Sequence, residues 1–239
     1  MILAFDTETT GLPMTSKEGV VIEPYITQLS AILYNVHDNR MVSFMSSYIQ
    51  LPPGAEISAK AEAISGITQE ICQKKGRPIE KVLKAFYKLY SQADTLVAHN
   101  LDFDVDRICA QIRRMVEQKT ADKIPLSKYC YMFSPKHMSP ETQMICTMKT
   151  ASNQLGNRWP KLIDLYRRLF GYTIDANRLH HSFVDSILCL RVFLKTQHHV
   201  TVPDAEFNNW LDLFSNAAPA TTRKAPWRKC KISSCHERM

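Results

Sequence analysis

The sequence predicts an α/β domain built on a mixed sheet. Three observations carry this: a short apolar strand at residues 1–8, two strand-like segments that pair as a hairpin at 25–36 and 41–50, and a later alternation of short apolar strands with helical periodicity. Strands come first, and helices then separate the remaining strands.

Each element has a local reason. Residues 1–8 are apolar up to Asp6 and Glu8, and Thr9-Thr10-Gly11 ends the run. Residues 12–23 contain Pro13, Gly19 and polar side chains and are expected to be a loop. Tyr25–Val36 and Met41–Gln50 are rich in β-branched and aromatic residues, with the turn signal His37-Asp38-Asn39-Arg40 between them. A short helix is expected over 58–65, stopped by Gly66, and another after Thr68 as N-cap. Residues 78–93 form a helix on the spacing of Ile79, Val82, Leu83, Phe86 and Leu89, with Pro78 at its start. Thr95–Ala98 is a short strand, and 101–118 a helix with Phe103, Ile108, Ile112 and Met115 inward. In the interval 119–145 both Lys128–Phe133 and Gln143–Thr147 look strand-like, and one of them is the last strand. Helices follow at 162–170, closed by Gly171, at 182–196 and at 204–214.

Composition bounds the class. The chain has 239 residues, 45% apolar and 22% charged, which suits one sizeable globular domain with appendages. No apolar run approaches the roughly 20 residues of a membrane span, and the N-terminus lacks a secretory pattern. Seven scattered cysteines then read as reduced thiols, and the expected location is intracellular, cytoplasmic or nuclear, not secreted. The net charge is +7, but residues 218–239 hold six Lys and Arg against the single acid Glu237. The expected organisation is a domain at 1–216 and a basic, disordered or docking tail at 217–239. A basic tail suits a polyanionic partner, nucleic acid first, and Trp227 among its cations suits single strands. Cys230, Cys235 and His236 lack the spacing and fourth ligand of a zinc site.

The chemistry-bearing residues are acids near strand and helix ends. Asp6 and Glu8, two apart on a strand, project from one face, with Thr7 turned away. Adjacent carboxylates repel, so either a hard divalent cation sits between them or both are solvated at a strand end; the spacing alone allows both. Asp104 lies where the 95–98 strand gives way to a helix, a place where ligand sites of open α/β sheets gather. Asp102 and Asp106 face elsewhere on that helix. Asp185 opens the 182–196 helix, with His180 and His181 just ahead of it, either one a candidate general base or a plain surface residue.

These segments, in order, resemble the DEDD exonuclease superfamily in its histidine branch. The matching motifs are Asp6-Thr-Glu8, extended by Thr9-Thr10-Gly11-Leu12, then His99-Asn-Leu-Asp-Phe-Asp104, and His180-His-Ser-Phe-Val-Asp185. Ala63-Ile-Ser-Gly-Ile-Thr68 resembles a substrate-side segment of the same group. The resemblance covers roughly residues 1 to 197 and includes the proofreading exonuclease subunits of bacterial replicative polymerases.

The resemblance implies a ribonuclease H-like fold with a five-stranded mixed sheet flanked by helices. It implies that Asp6, Glu8, Asp104 and Asp185 bind two Mg²⁺ or Mn²⁺, and that the enzyme hydrolyses DNA, or RNA, from the 3′ end. His180 matches the histidine-branch interval to Asp185, whereas His181 holds the interval of a tyrosine in the sister branch. The resemblance puts Thr9, Thr10, Gly11, Leu12 and Ile64 against the terminal nucleotide, with turn chemistry as the other reading of Thr-Thr-Gly. His99 and Asn100 support Asp104 or are structural. Trp159, in Trp-Pro-Lys before a helix, is read as a core residue, with a place beside the substrate strand as the alternative. A DNA polymerase is the partner expected for the tail. Two rival functions are an oligoribonuclease-like enzyme and a non-catalytic nucleic-acid-binding or polymerase-associated subunit.

Overall fold

The central strand β1 (Ile2–Thr9) is buried along most of its length and splits its side chains between two cores. Ile2 and Ala4 face one, Leu3 and Phe5 the other, as the two-residue period of a strand requires. The structure is a computed structural model, and it describes residues 1–117, 127–154, 159–172, 174, 179–215 and 223–224.

After β1 comes a small hairpin, β2 (Met14–Thr15) and β3 (Val21–Ile22), inside the segment expected to be loop. The long strands β4 (Ile26–Asn35) and β5 (Arg40–Tyr48) form the expected antiparallel pair. Helices α1 (Ala59–Ser65), α2 (Gln69–Lys75) and α3 (Ile79–Tyr90) follow. Ser58 and Thr68 cap α1 and α2 with side-chain oxygens, and Gly66 ends α1 in a left-handed conformation, φ 67°, that a side chain would resist.

The chain then runs through β6 (Thr95–Ala98), α4 (Leu101–Glu117), the one-turn α5 (Ser127–Cys130), β7 (Gln143–Cys146) and α6 (Thr147–Gln154). Three further helices, α7 (Leu162–Phe170), α8 (Ser182–Gln197) and α9 (Asp204–Ser215), precede the two-residue β8 (Arg223–Lys224). Of the two strand-like segments in the 119–145 interval, Gln143–Cys146 is the strand, pairing parallel with β6. Lys128–Phe133 is not: it begins in α5 and continues in turns. Tyr129, Met132 and Phe133 are buried there at helical spacing, three and four apart, rather than alternating.

The sheet order is β7-β6-β1-β4-β5, with β8 added at the β5 edge. β1 pairs parallel with β6 and antiparallel with β4, so the sheet is mixed. Helices α7, α8 and α9 cover one face, and α3, α4 and α5 the other. The helix α8 is buried on nearly every side, including Arg191, whose guanidinium reaches the Tyr166 and Tyr172 hydroxyls, the Val202 carbonyl and Asp204. Among the described residues no helix is long and apolar enough to cross a membrane.

The expected tail at 217–239 lies outside the described residues except for β8, where Arg223 and Lys224 pair antiparallel with Phe44 and Ser43. Trp227, Cys230, Cys235 and His236 all lie outside them.

Candidate active site

The site forms where β1 ends. Its register with β4 shifts between Glu8 and Thr9, a bulge that bends the strand directly after its acids. Asp6 and Glu8 continue the Ile2–Ala4 face and therefore point toward α8. Asp185, on the first turn of α8, comes to meet them. One carboxylate oxygen from each of Asp6, Glu8 and Asp185 lies within 4.8 Å of the others.

Asp104 stands apart from this trio. It reaches the strand from α4, on the opposite face of the sheet, and is buried. Its Oδ1 accepts two hydrogen bonds from Thr7, one from the backbone N–H at 2.9 Å and one from Oγ1 at 2.7 Å. Thr7 is the residue that the strand period turns away from Asp6 and Glu8, and that orientation is what carries it to Asp104.

The charges of these acids raise one another's pKa values. Burial, then Asp104, Asp185 and Glu8, raise Asp6 well above the ordinary carboxylate range. Burial, followed by the charges of Asp185 and Asp104, pushes Glu8 up to about 9. Burial raises Asp104 to about 7 against the opposing pull of the Thr7 bonds and Arg107, whose guanidinium is paired with Glu23. Burial also raises Asp185 to about 7, opposed by the His180 backbone N–H. Such a set asks for cations. All its donors are carboxylate oxygens, which suit hard divalent ions, so the residues fit Mg²⁺ or Mn²⁺.

The two candidate bases differ in their surroundings. His181 is buried as the N-cap of α8: its Nδ1 accepts from the Phe183 N–H at 3.3 Å, and its Nε2 lies 2.6 Å from Gln28 Nε2. Burial pushes it down to about 4. His180 is exposed and sits at φ 57°, a left-handed conformation that is costly for a residue with a side chain. Partial desolvation, then the charge of Lys161, holds its imidazole below the usual value.

Sequence reasoning passed over the residues that hold α8 in register. Gln28, opposite Glu8 on β4, is buried and accepts from the Ser182 N–H at 3.1 Å through Oε1. Two positions on, Ser30 Oγ lies 2.6 Å from Ser182 Oγ. The available signal was two polar residues, Gln28 and Ser30, on one face of an otherwise apolar strand.

The expected substrate-side residues divide. Leu12 and Ile64 are exposed apolar side chains, 66% and 47% accessible. The start of α1 is fastened to the Thr10 turn, since the Ser58 N–H donates to the Thr10 carbonyl at 2.9 Å, and a Cβ on Gly11 would lie 3.3 Å from Ser58 Oγ. Thr9 Oγ1 donates to the Gly11 carbonyl at 2.7 Å. Thr10 is buried and its Oγ1 accepts from the Tyr25 N–H at 3.0 Å, so its hydroxyl serves the turn. His99 is held by Thr147 Oγ1 at 3.0 Å and the Pro160 carbonyl at 2.9 Å. Asn100 is exposed, and its backbone carbonyl accepts from the Phe103 and Asp104 N–H groups at the start of α4. Trp159 is not a core residue; it is 65% exposed.

A family model for the RNase T exonucleases matches residues 3–193. The chain belongs to the RNase T exonuclease family. Members of that family are hydrolases that act on phosphodiester bonds. The PolC-type DNA polymerase III of Listeria monocytogenes is 29% identical over 137 residues, 56% of this chain. That of Thermotoga petrophila is 31% identical over 130 residues, 53% of this chain. The chain spans only 9% of the length of either polymerase. Among solved structures, the nuclease domain of 3′hExo, a DEDDh family member bound to rAMP, superposes with a TM-score of 0.57 at 16% identity, covering 83% of this chain and 92% of that one. Escherichia coli exonuclease I with an oligonucleotide gives 0.56 at 16% identity, covering 90% of this chain and 43% of the other. At such identity the likeness is one of fold: the ribonuclease H-like sheet of the DEDD exonucleases.

Proposed function

We propose that this chain is a metal-dependent exonuclease that removes nucleotides from the 3′ end of single-stranded or frayed DNA as 5′-monophosphates. The observation that carries the reading is the convergence of Asp6, Glu8 and Asp185 on one face of β1, beside an exposed His180. Asp6, Glu8, Asp104 and Asp185 would hold two Mg²⁺ or Mn²⁺. When bound, such ions supply an activated water and charge neutralisation at the leaving 3′-oxygen.

The chain's own residues do the rest. His180, kept neutral at pH 7 by its low pKa, takes the proton from the attacking water. Its exposed position lets it pass that proton to solvent. Thr7 holds Asp104 by one oxygen, which fixes the carboxylate's orientation. Gln28 and Ser30 hold the first turn of α8 and with it Asp185. Thr9 to Leu12, with Ile64 beside them, receive the terminal nucleotide, Leu12 and Ile64 packing on its base. His99 and Asn100 keep the end of β6 and the start of α4 in place behind Asp104.

The choice of DNA draws support from the polymerase relatives and from exonuclease I, which is described with an oligonucleotide. Those relatives also support work beside a DNA polymerase, with the basic segment 217–239 contacting either the polymerase or nucleic acid. Comparing rates on short RNA, single-stranded DNA and a mismatched primer end tests the substrate. Fastest turnover on short RNA would instead favour an oligoribonuclease-like enzyme. The double variant Asp6→Asn, Glu8→Gln tests the site: it is expected to stay folded and lose turnover, and retained turnover would sink the reading.

A further inference from the structure

We infer that Trp159 and Lys161 form a single-strand contact on the rim of the site, Trp159 stacking on a base of the incoming strand and Lys161 meeting a phosphate. The inference rests on the exonuclease reading and names how that site holds its polymer.

Four observations lead to it. Trp159 is 65% exposed, whereas Trp210, on α9, is 5% exposed in the core. Its indole offers an open face on which a base can stack. The backbone beside it is nevertheless fixed: the Pro160 carbonyl accepts from His99 Nε2 at 2.9 Å, and His99 directly follows β6, whose carboxyl end borders the acids. The backbone that carries the indole is therefore tied to the end of β6.

Lys161 supplies the charge. It is exposed, and among the described residues it has no ion-pair partner. It directly follows Pro160, whose carbonyl is tied to His99 at the end of β6. It stands at the N-cap of α7, where no side chain caps the first N–H groups and Asp164 is the acid of the first turn. An aromatic face beside an unpaired cation, next to a phosphodiesterase site, is the pattern by which proteins track single strands without reading sequence. Nothing in this pair reads a base edge, so it binds every sequence alike.

The test is steady-state digestion in Mg²⁺ by wild type, Trp159→Ala, Trp159→Phe and Lys161→Ala. Substrates are a single strand of about 20 nucleotides and a dinucleotide. Trp159→Ala is expected to raise KM on the long strand about tenfold with little change in kcat, and to raise it much less on the dinucleotide. Trp159→Phe recovers most of the loss, because a phenyl ring still stacks. Lys161→Ala raises KM and flattens its dependence on salt. Wild-type KM for Trp159→Ala on the long strand overturns the inference, as does a fall in kcat with KM unchanged. A wild-type enzyme inert on both substrates overturns the exonuclease reading itself, a different result from either.

Discussion

Thr7 donates two hydrogen bonds to a single oxygen of Asp104, from its N–H at 2.9 Å and from its hydroxyl at 2.7 Å. The pair joins β1 to α4 and leaves the fourth acid outside the Asp6–Glu8–Asp185 trio. Thr7→Val keeps the volume and the backbone bond but deletes the hydroxyl. Asp104 then loses a bond that lowers its pKa, so it gives up its proton less readily and turns with more freedom. The expected result is a loss of roughly 10- to 100-fold in turnover, the scale set by losing one buried bond to a charged group. The half-saturating Mg²⁺ concentration should rise as well. Thr7→Ser should retain most activity. Turnover against Mg²⁺ concentration for the three proteins checks this.

Stability without metal should fall as pH rises. Glu8 is raised to about 9, and Asp104 and Asp185 to about 7, from unfolded values near 4. The folded state binds these protons more tightly than the unfolded state. The stabilisation is complete below the unfolded values and is lost as pH climbs through about 7 and on toward 9. Thermal melts in chelator from pH 5 to pH 9 should show a falling melting temperature. Added Mg²⁺ or Mn²⁺ should restore more of it at high pH than at low. Glu8→Gln should raise the metal-free melting temperature at pH 8, because an amide folds without the proton uptake that Glu8 needs there. A melting temperature lower than wild type there would contradict this.

The adjacent histidines should separate cleanly. His180→Ala removes an exposed imidazole and is expected to cost roughly 10²–10⁴ in turnover, with the melting temperature unchanged. His181→Ala strips the N-cap of α8 and leaves Gln28 Nε2 without its ring partner. That should destabilise the fold by about 1–3 kcal/mol. Paired melts and rate measurements decide; the opposite pattern would make His181 the base.

Arg191 anchors α8 in its second half. It is 1% exposed, lies 4.3 Å from the Phe207 ring and 4.4 Å from that of Phe170, and reaches Asp204 at the start of α9. Arg191→Ala should cost about 2–4 kcal/mol through the cavity and the stranded hydroxyls. Denaturant unfolding measures this.

Much of the fold was legible because local signals agreed. A short apolar run gave β1, β-branched and aromatic content around the 37–40 turn signal gave β4 and β5, and Thr68 as a cap gave the start of α2. Lys128–Phe133 misled because its aromatic content suggests a strand, while burial of Tyr129, Met132 and Phe133 follows a helical turn. The β2–β3 hairpin pairs only two residues a side, too few to leave a periodic signal. At the site, acids two apart on a strand were readable as one face. The support of Asp104 by Thr7, and of Asp185 through Gln28 and Ser182, depends on which strands lie side by side, and spacing along a single chain does not contain that. The exposure of Trp159 likewise depends on what packs nearby.

Digestion of a 5′-labelled single-stranded DNA oligonucleotide tests the central claim most directly. With Mg²⁺ the label should stay on a ladder of products shortened one nucleotide at a time from the 3′ end, with 5′-monophosphates released, and excess chelator should stop it. Early release of the 5′ label, or an equal rate in chelator, would contradict a metal-dependent 3′→5′ exonuclease.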